Sequence, residues 1–326
     1  MIPHSAPCIG QEEADACLRV LHSGHLAQGR EVEAFERECA EFVGRRHAVA
    51  VNSGTSALHL ALDALGIANG DPVAVPSYAC AALITAVTLQ RARPVLCDSG
   101  PEYNLDPEGV NPDAAVIVPH LFGAPAPIPD SRLVIEDVAQ SMGGPTGKAG
   151  IVTVTSFYAT KLMTSGEGGM LLTDDEGFAA HARDRRDYDN RDEFVPRYNY
   201  KMTDLQAAIG REQLKKLPGF IARRRATAHR YQEAFASLAL ELPDPRDHVF
   251  FRYVVGTDAR DTLEADLRQD GIEAKRPVYR PAHHYFGGSF PAAQRAYERC
   301  LSLPIYPSLV EDDVTRVIES VRRFAC

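Results

Sequence analysis

The chain has 326 residues, 45% hydrophobic and 24% charged, the make-up of a soluble globular protein with material for one large and one smaller domain. A formal charge of −9 excludes a nucleic-acid-coating role, which needs a basic footprint, and no apolar run reaches the span of a transmembrane helix. Seven cysteines without a CxxC pair, and a start (Met1-Ile2-Pro3-His4-Ser5) lacking a signal-peptide pattern, fit a reduced cytoplasmic protein better than a disulfide framework or zinc site.

Ser23 to Gly29 reads as a polar, glycine-bearing loop, and Glu31 to Val43 sets Val32, Phe35, Cys39, Phe42 and Val43 near helical spacing. Ala48 to Val51 is a short apolar strand. The turn Asn52-Ser53-Gly54-Thr55 then leads into a helix carrying Leu58, Leu62 and Leu65. Such a turn can cradle phosphate, because free backbone N–H groups and the positive end of the helix dipole face the anion. The plainer reading, in which Ser53 or Thr55 only caps the helix, is compatible with it.

Strands follow at Val73–Val75, closed by Pro76, at Pro94–Asp98 and at Ala114–Val118, with a helix through Leu83, Ile84, Val87 and Leu89. Between Gly123 and Leu133 stand Pro125, Pro127 and Pro129 and no helical pattern, so a minimal crossover leads to the strand Leu133-Val134-Ile135. Apolar runs alternating with helical segments predict an α/β fold with a mainly parallel sheet covered on both faces. Asp137 directly follows its strand, at the carboxyl edge where ligands bind in open α/β sheets. Gly143 to Lys148 is not a P-loop: its spacing is one residue short, and Ala149 replaces the required Ser or Thr.

A β-rich run, Ile151 to Phe157, feeds Tyr158-Ala159-Thr160-Lys161. The glycine-rich turn Ser165-Gly166-Glu167-Gly168-Gly169 then returns the chain to the apolar strand Met170–Thr173. Desolvation between two buried strands favours a neutral lysine, and a neutral lysine can form a Schiff base with an aldehyde, as in pyridoxal phosphate (PLP) chemistry. Asp174 to Asp187 is an arginine-rich helix expected to face solvent, followed by a charged loop from Tyr188 to Arg197.

A long helical pattern begins at Thr203, is interrupted at Pro218-Gly219, and resumes from Phe220 to Leu238. It carries a basic outer face of Arg223, Arg224 and Arg225, either solvated or available to a nucleotide sugar's phosphates. A strand (Val249–Val255) and helices at Asp261–Asp270, Pro291–Arg299 and Glu311–Phe324 make a small α/β cap, so the expected domains are 1–219 and 220–326. Arg280-Pro281-Ala282-His283-His284-Tyr285 has histidines but no acidic or cysteine ligands at metal spacing, and no metal is expected.

Six segments carry a resemblance: Asn52–Leu58, Val75–Ser77, His120–Gly123, Ile135–Gln140, Ser156–Lys161 and Tyr198–Ala208. In this order they resemble the DegT/StrS-type PLP-dependent aminotransferases, which make amino sugars. The likeness covers most of residues 20–225 and continues more weakly to the C-terminus.

It implies a PLP-transferase-like large domain, with a mainly parallel seven-stranded sheet between helices, and a smaller C-terminal α/β domain. Lys161 would hold PLP and act as general acid/base, with Asp137 on the pyridine nitrogen and Gln140 near the phenolic oxygen. Gly54, Thr55, Ser56 and Ser156 would hold the phosphate. Asn199 would reach the neighbouring subunit's phosphate site, which implies a homodimer with shared active sites. The Ser23–Gly29 loop and the segment around His283 would line the substrate side. The implied reaction moves an amino group from glutamate or glutamine to a keto sugar, often nucleotide-linked, in antibiotic or cell-surface glycan biosynthesis.

One position departs from the family pattern. Cys80 stands four residues after Pro76, where relatives carry an aromatic residue that stacks on the PLP ring, and Tyr78 should point elsewhere. Two other functions fit the same scaffold. PLP-dependent dehydration is carried by relatives that lack the lysine, which is present here as Lys161. A non-catalytic PLP- or sugar-binding regulator would need a recognition module, and the sequence adds no DNA-binding one.

Overall fold

The computed structural model describes residues 1–325. Two helices open the chain, α1 (Gln11–Ser23) and α2 (Arg30–Val43). There follow β1 (His47–Val51), α3 (Gly54–Ala64), β2 (Pro72–Pro76), α4 (Ala82–Leu89), β3 (Arg93–Cys97), β4 (Ala115–Pro119) and β5 (Leu133–Asp137). Next come β6 (Val152–Ser156), β7 (Gly169–Thr173), α5 (Glu176–Arg186) and the long α6 (Asp204–Phe235). The C-terminal part holds β8 (Tyr253–Gly256), α7 (Arg260–Gln269), α8 (His283–Phe286), α9 (Pro291–Arg299), β9 (Cys300–Leu303) and α10 (Glu311–Ala325).

The central sheet has seven strands in the order β1-β7-β6-β5-β4-β2-β3. Only β7 runs against the rest, pairing antiparallel with both β1 and β6. Strand residues alternate between faces. Val51, Val75, Ile117, Ile135, Val154 and Leu171 pack with Leu58, Leu62, Leu83 and Phe178 of α3, α4 and α5. On the other face Ala48, Ala50, Met170 and Leu172 meet Phe35 and Cys39 of α2 and Leu214 and Leu217 of α6. Beneath β2, β4 and β5 that face is closed by coil side chains, Leu105, Val110 and Ala126. The β4–β5 crossover is as short as expected, holding only a 3₁₀ turn at Leu121–Gly123.

Four features differ from the sequence reading. Helix α1 was not expected; its buried apolar residues are Ala16 and Val20, which pack on Ala208 of α6 and leave little periodic signal. Pro218 and Gly219 do not interrupt α6, which runs through them. The proline forgoes one backbone hydrogen bond, but Leu217, Phe220 and Ile221 around it are buried, and that packing holds the helix.

Helix α5 is not simply solvent-facing. Phe178, Ala179 and Ala182 are buried, and Arg186 turns in to bond Glu36 at 2.6 Å. The strand expected at Val249–Val255 shrinks to Tyr253–Gly256, because Phe250 adopts φ +51° and breaks the extended run. The backbone before β8 bonds the 3₁₀ turn instead, with Val249 N–H donating to Gly123 O (3.0 Å) and Arg252 N–H to Phe122 O (3.1 Å).

Strands β8 and β9 form a separate antiparallel pair. Its core joins Ala228, Tyr231 and Phe235 of α6 to Leu263, Leu267, Val314 and Val317. Among the described residues no helix is long and apolar enough to cross a membrane.

Candidate active site

Because six of the seven strands point one way, the residues that follow them gather along one edge of the sheet. After β1 the chain turns at Asn52–Gly54 into α3. Ser53 Oγ caps the helix by accepting from Ser56 N–H at 3.1 Å, and Ser56 Oγ donates to Asn52 Oδ1 at 2.7 Å. Gly54 is required by proximity: a Cβ there would lie 2.8 Å from Ser156 Cβ and 3.2 Å from its Oγ, so the helix N-terminus and the end of β6 touch.

Asp137 closes β5, only 8% exposed, and accepts from Ala139 N–H at 2.9 Å. Burial pushes its carboxyl above the ordinary range, against the opposing pull of the Lys161 charge and the Ala139 N–H. Lys161 follows β6, its own N–H bonded to Tyr158 O at 2.9 Å and its Nζ 5.5 Å from the centroid of the Phe251 ring.

Gly54, Thr55, Cys80, Asp137, Ser156 and Lys161 line one cavity of about 240 Å³. An amine, a carboxylate and a helix N-terminal turn therefore share one space, the donor set that PLP's aldehyde, pyridine nitrogen and phosphate require. A side chain on Gly54 would fill the phosphate end of it. The residues fit the cofactor.

The other residues expected at the site, Ser56, Gln140 and Asn199, do not line this cavity. Ser56 is buried beneath the turn. Gln140 Oε1 accepts from Phe122 N–H at 2.8 Å, which leaves its NH₂ as the free donor. Asn199 is exposed, and its carbonyl accepts from Asn52 Nδ2 at 3.2 Å.

Cys80 faces the open cleft, whereas Tyr78 is fully buried against Tyr103 and Phe122 with its hydroxyl on Ala296 O at 3.4 Å. Ser77, between β2 and Cys80, anchors the 280–286 segment: its carbonyl accepts from Ala282 N–H (2.7 Å) and its Oγ meets His283 Nδ1 (2.6 Å). The Nε2 atoms of His283 and His284 both lie against Gln294 Oε1.

Sequence reasoning missed Tyr158 and Glu167 as lining residues, although Tyr158 stands inside the quoted lysine segment and Glu167 in the glycine-rich turn after it. It also missed Phe251, for which no local signal exists. The basic face at 223–225 proves divided. Arg224 is buried and donates to the carbonyls of Phe250, Phe251 and Ile305, while Arg223 and Arg225 stay exposed. Arg224 is thus no phosphate ligand.

Against known proteins, the model of the DegT/DnrJ/EryC1/StrS aminotransferase family matches residues 7–322. The spore coat polysaccharide biosynthesis protein SpsC of Bacillus subtilis is 36% identical, over 98% of this chain and 96% of its own. GDP-perosamine synthase of Caulobacter vibrioides is 35% identical, over 97% and 96%. Among solved structures, DesV of S. venezuelae superposes with a TM-score of 0.91 at 34% identity, covering 97% of this chain and 94% of that one. An aminotransferase of the same family from Brucella abortus gives 0.89 at 30%, covering 97% and 95%.

Proposed function

The chain belongs to the DegT/DnrJ/EryC1/StrS aminotransferase family and is a PLP-dependent aminotransferase; we propose that it moves an amino group from glutamate or glutamine to the keto group of a nucleotide-linked sugar. The observation that carries this reading is the convergence of Lys161, Asp137 and the Gly54–Ser156 contact on one cavity. The chain's 35% identity to a GDP-perosamine synthase supports the sugar acceptor.

Bound in the cavity, PLP supplies an electron-accepting ring and the carbon that carries nitrogen between donor and acceptor. Lys161 provides the amine that holds the cofactor and, once displaced, takes the proton from the donor's α-carbon. Asp137 keeps the pyridine N–H in place through a charge-assisted hydrogen bond. The N–H groups of Gly54 and Thr55 and the Ser156 hydroxyl would hold the phosphate, with Ser56 shaping the turn through its bonds to Ser53 and Asn52, and the free amide N–H of Gln140 would serve the phenolic oxygen.

A homodimer belongs to the proposal. Asn199 is exposed, and the neighbouring loop presents Phe194 at 95% exposure, which favours use of this edge by a second copy. The proposed division into residues 1–219 and 220–326 falls within α6, whose two halves pack in different cores. A cytoplasmic location completes the reading.

The absorbance spectrum of the protein with PLP, beside Lys161→Ala, tests it. A visible band that needs Lys161, bleaches with glutamate and returns with a nucleotide-linked keto sugar is expected. Absence of any Lys161-dependent band overturns the reading; a band indifferent to every amino donor turns it toward dehydration.

A further inference from the structure

The ring of Phe251 is shared by two cations. Its centroid lies 5.5 Å from Lys161 Nζ and 4.5 Å from Arg252 Cζ, so the guanidinium is no farther from the lysine nitrogen than those lengths laid end to end. The backbone fixes this placement from the other side. Arg252 N–H donates to Phe122 O, and Phe122 N–H donates to Gln140, three residues beyond Asp137.

Arg252 is a half-buried cation without a counter-ion among the described residues. Other enclosed arginines have one: Arg45 pairs with Asp174, Arg186 with Glu36, and Arg260 with Glu264. Among the described residues Arg224 has none either; its Nη1 alone donates to three carbonyls, and its Nε is buried without a partner. Among the described residues the side-chain hydrogen-bond partner of Arg252 is His4 Nδ1, at 3.3 Å. That histidine is neutral, its pKa held down to about 3 by burial and by the Arg252 charge, and its Nε2 meets Ser302 Oγ. The nearby carboxylate, Glu273, is occupied by His4 N–H and Lys275. Most of the five-donor fork is unused by the described protein groups, and none of its nitrogens is a buried orphan, so the spare donors stay open to a ligand.

We propose that Arg252 anchors a carboxylate of the amino-acid donor, holding the donor with its amino nitrogen toward Lys161 and Phe251 as the apolar wall between. A planar fork in a partly desolvated site matches a carboxylate's two oxygens. The carboxylate is either the one on the donor's α-carbon or, for glutamate, the one at the end of its side chain. The inference rests on the aminotransferase reading above.

The test compares wild type, Arg252→Met and Arg252→Lys loaded with PLP, titrating glutamate, glutamine and alanine against the cofactor's absorbance change. Binding of glutarate, a dicarboxylate without an amino group, is measured in parallel by calorimetry on the protein without PLP. In Arg252→Met the donor concentration at half-change rises about 10- to 100-fold, the loss expected when a charged hydrogen bond is removed. Arg252→Lys recovers part of it, and PLP affinity and the half-saturating concentration of keto sugar stay as in wild type. An equal loss for all three donors assigns the α-carboxylate; a loss for glutamate alone assigns the side chain.

Unchanged donor response in Arg252→Met overturns the proposal, as does an effect confined to the keto sugar. Should Arg252→Met not fold, Arg252→Lys decides, and a wild-type donor response with wild-type glutarate affinity counts against the anchor. If wild type itself shows no Lys161-dependent change, the aminotransferase reading is what fails. Glutarate binding then still reports on Arg252 by itself: lost in the variants it supports the anchor, kept it refutes it.

Discussion

His120 Nε2 donates to Glu136 Oε1 at 2.9 Å, with both side chains 2% exposed, directly behind the cavity carboxylate of Asp137. His120 Nδ1 accepts from Ala126 N–H, which pins the proline-rich crossover. The same Glu136 carboxylate accepts from the N–H groups of Gly147, Ala149 and Gly150. One buried acid thus ties the short crossover and the false P-loop segment to the end of β5. That is how the sheet keeps its shape without a helix between β4 and β5.

Glu136→Gln should destabilise the protein in a pH-dependent way. Burial acts to raise the Glu136 pKa, but the His120 hydrogen bond and the backbone donors outweigh it and hold it at about 2. A depressed carboxyl contributes stability above its unfolded pKa, here roughly 3 kcal/mol, and loses it as pH falls from about 4.5 through about 2. Urea unfolding at pH 7 and pH 3 should show a gap between wild type and variant that narrows at the lower pH. Equal stability at pH 7 would contradict this account.

Gly54→Ala should damage the phosphate end of the cavity. Its Cβ would meet Ser156 Cβ at 2.8 Å, and overpacking of this kind costs about 1–3 kcal/mol. PLP affinity should fall with it. Adding Ser156→Gly should restore most of the lost stability, measured by thermal unfolding, without restoring the phosphate contact. A double variant no more stable than Gly54→Ala would place the strain elsewhere.

Cys80→Phe should put a stacking partner over the cofactor ring. Aromatic pairs add about 0.5–1.5 kcal/mol, so PLP affinity should rise about 2- to 10-fold while the acceptor's half-saturating concentration changes. Fluorescence titration with PLP and steady-state rates give both quantities. If neither moves, Cys80 does not face the ring.

Arg224→Met should cost about 3 kcal/mol, because three buried carbonyls lose their shared donor. Two of them belong to Phe250 and Phe251, so the variant should also weaken the absorbance response to amino donors. Denaturant unfolding and the donor titration read the two effects separately. Full stability in the variant would mean that the carbonyls find other partners.

The sequence by itself determined the local pieces of this protein. Each strand of the large sheet is a short apolar run bounded by turn residues, so Asp137, Lys161 and the Ser53–Gly54 turn could be placed at strand ends before any contact was known. The order of six segments was enough for the family. Even the departure at Cys80 was legible, since Tyr78 is turned away into the core as its spacing implied.

Only the tertiary structure decided what depends on distant partners. Arg224 and Arg225 are neighbours of like composition, yet one is buried and the other exposed, because Ile305 and the Phe250–Phe251 backbone close over one side of α6. Pro218 ends no helix because Phe220 and Ile221 find cores to fill, a gain that a propensity scale does not contain. Arg252 reads in the sequence as one arginine among many. Its meaning comes from what is missing around it among the described residues, a carboxylate, and from the Phe251 ring it shares with Lys161. Periodicity reports what a residue's neighbours in the chain require of it; burial and charge balance are set by residues far along the chain, and those only folding brings together.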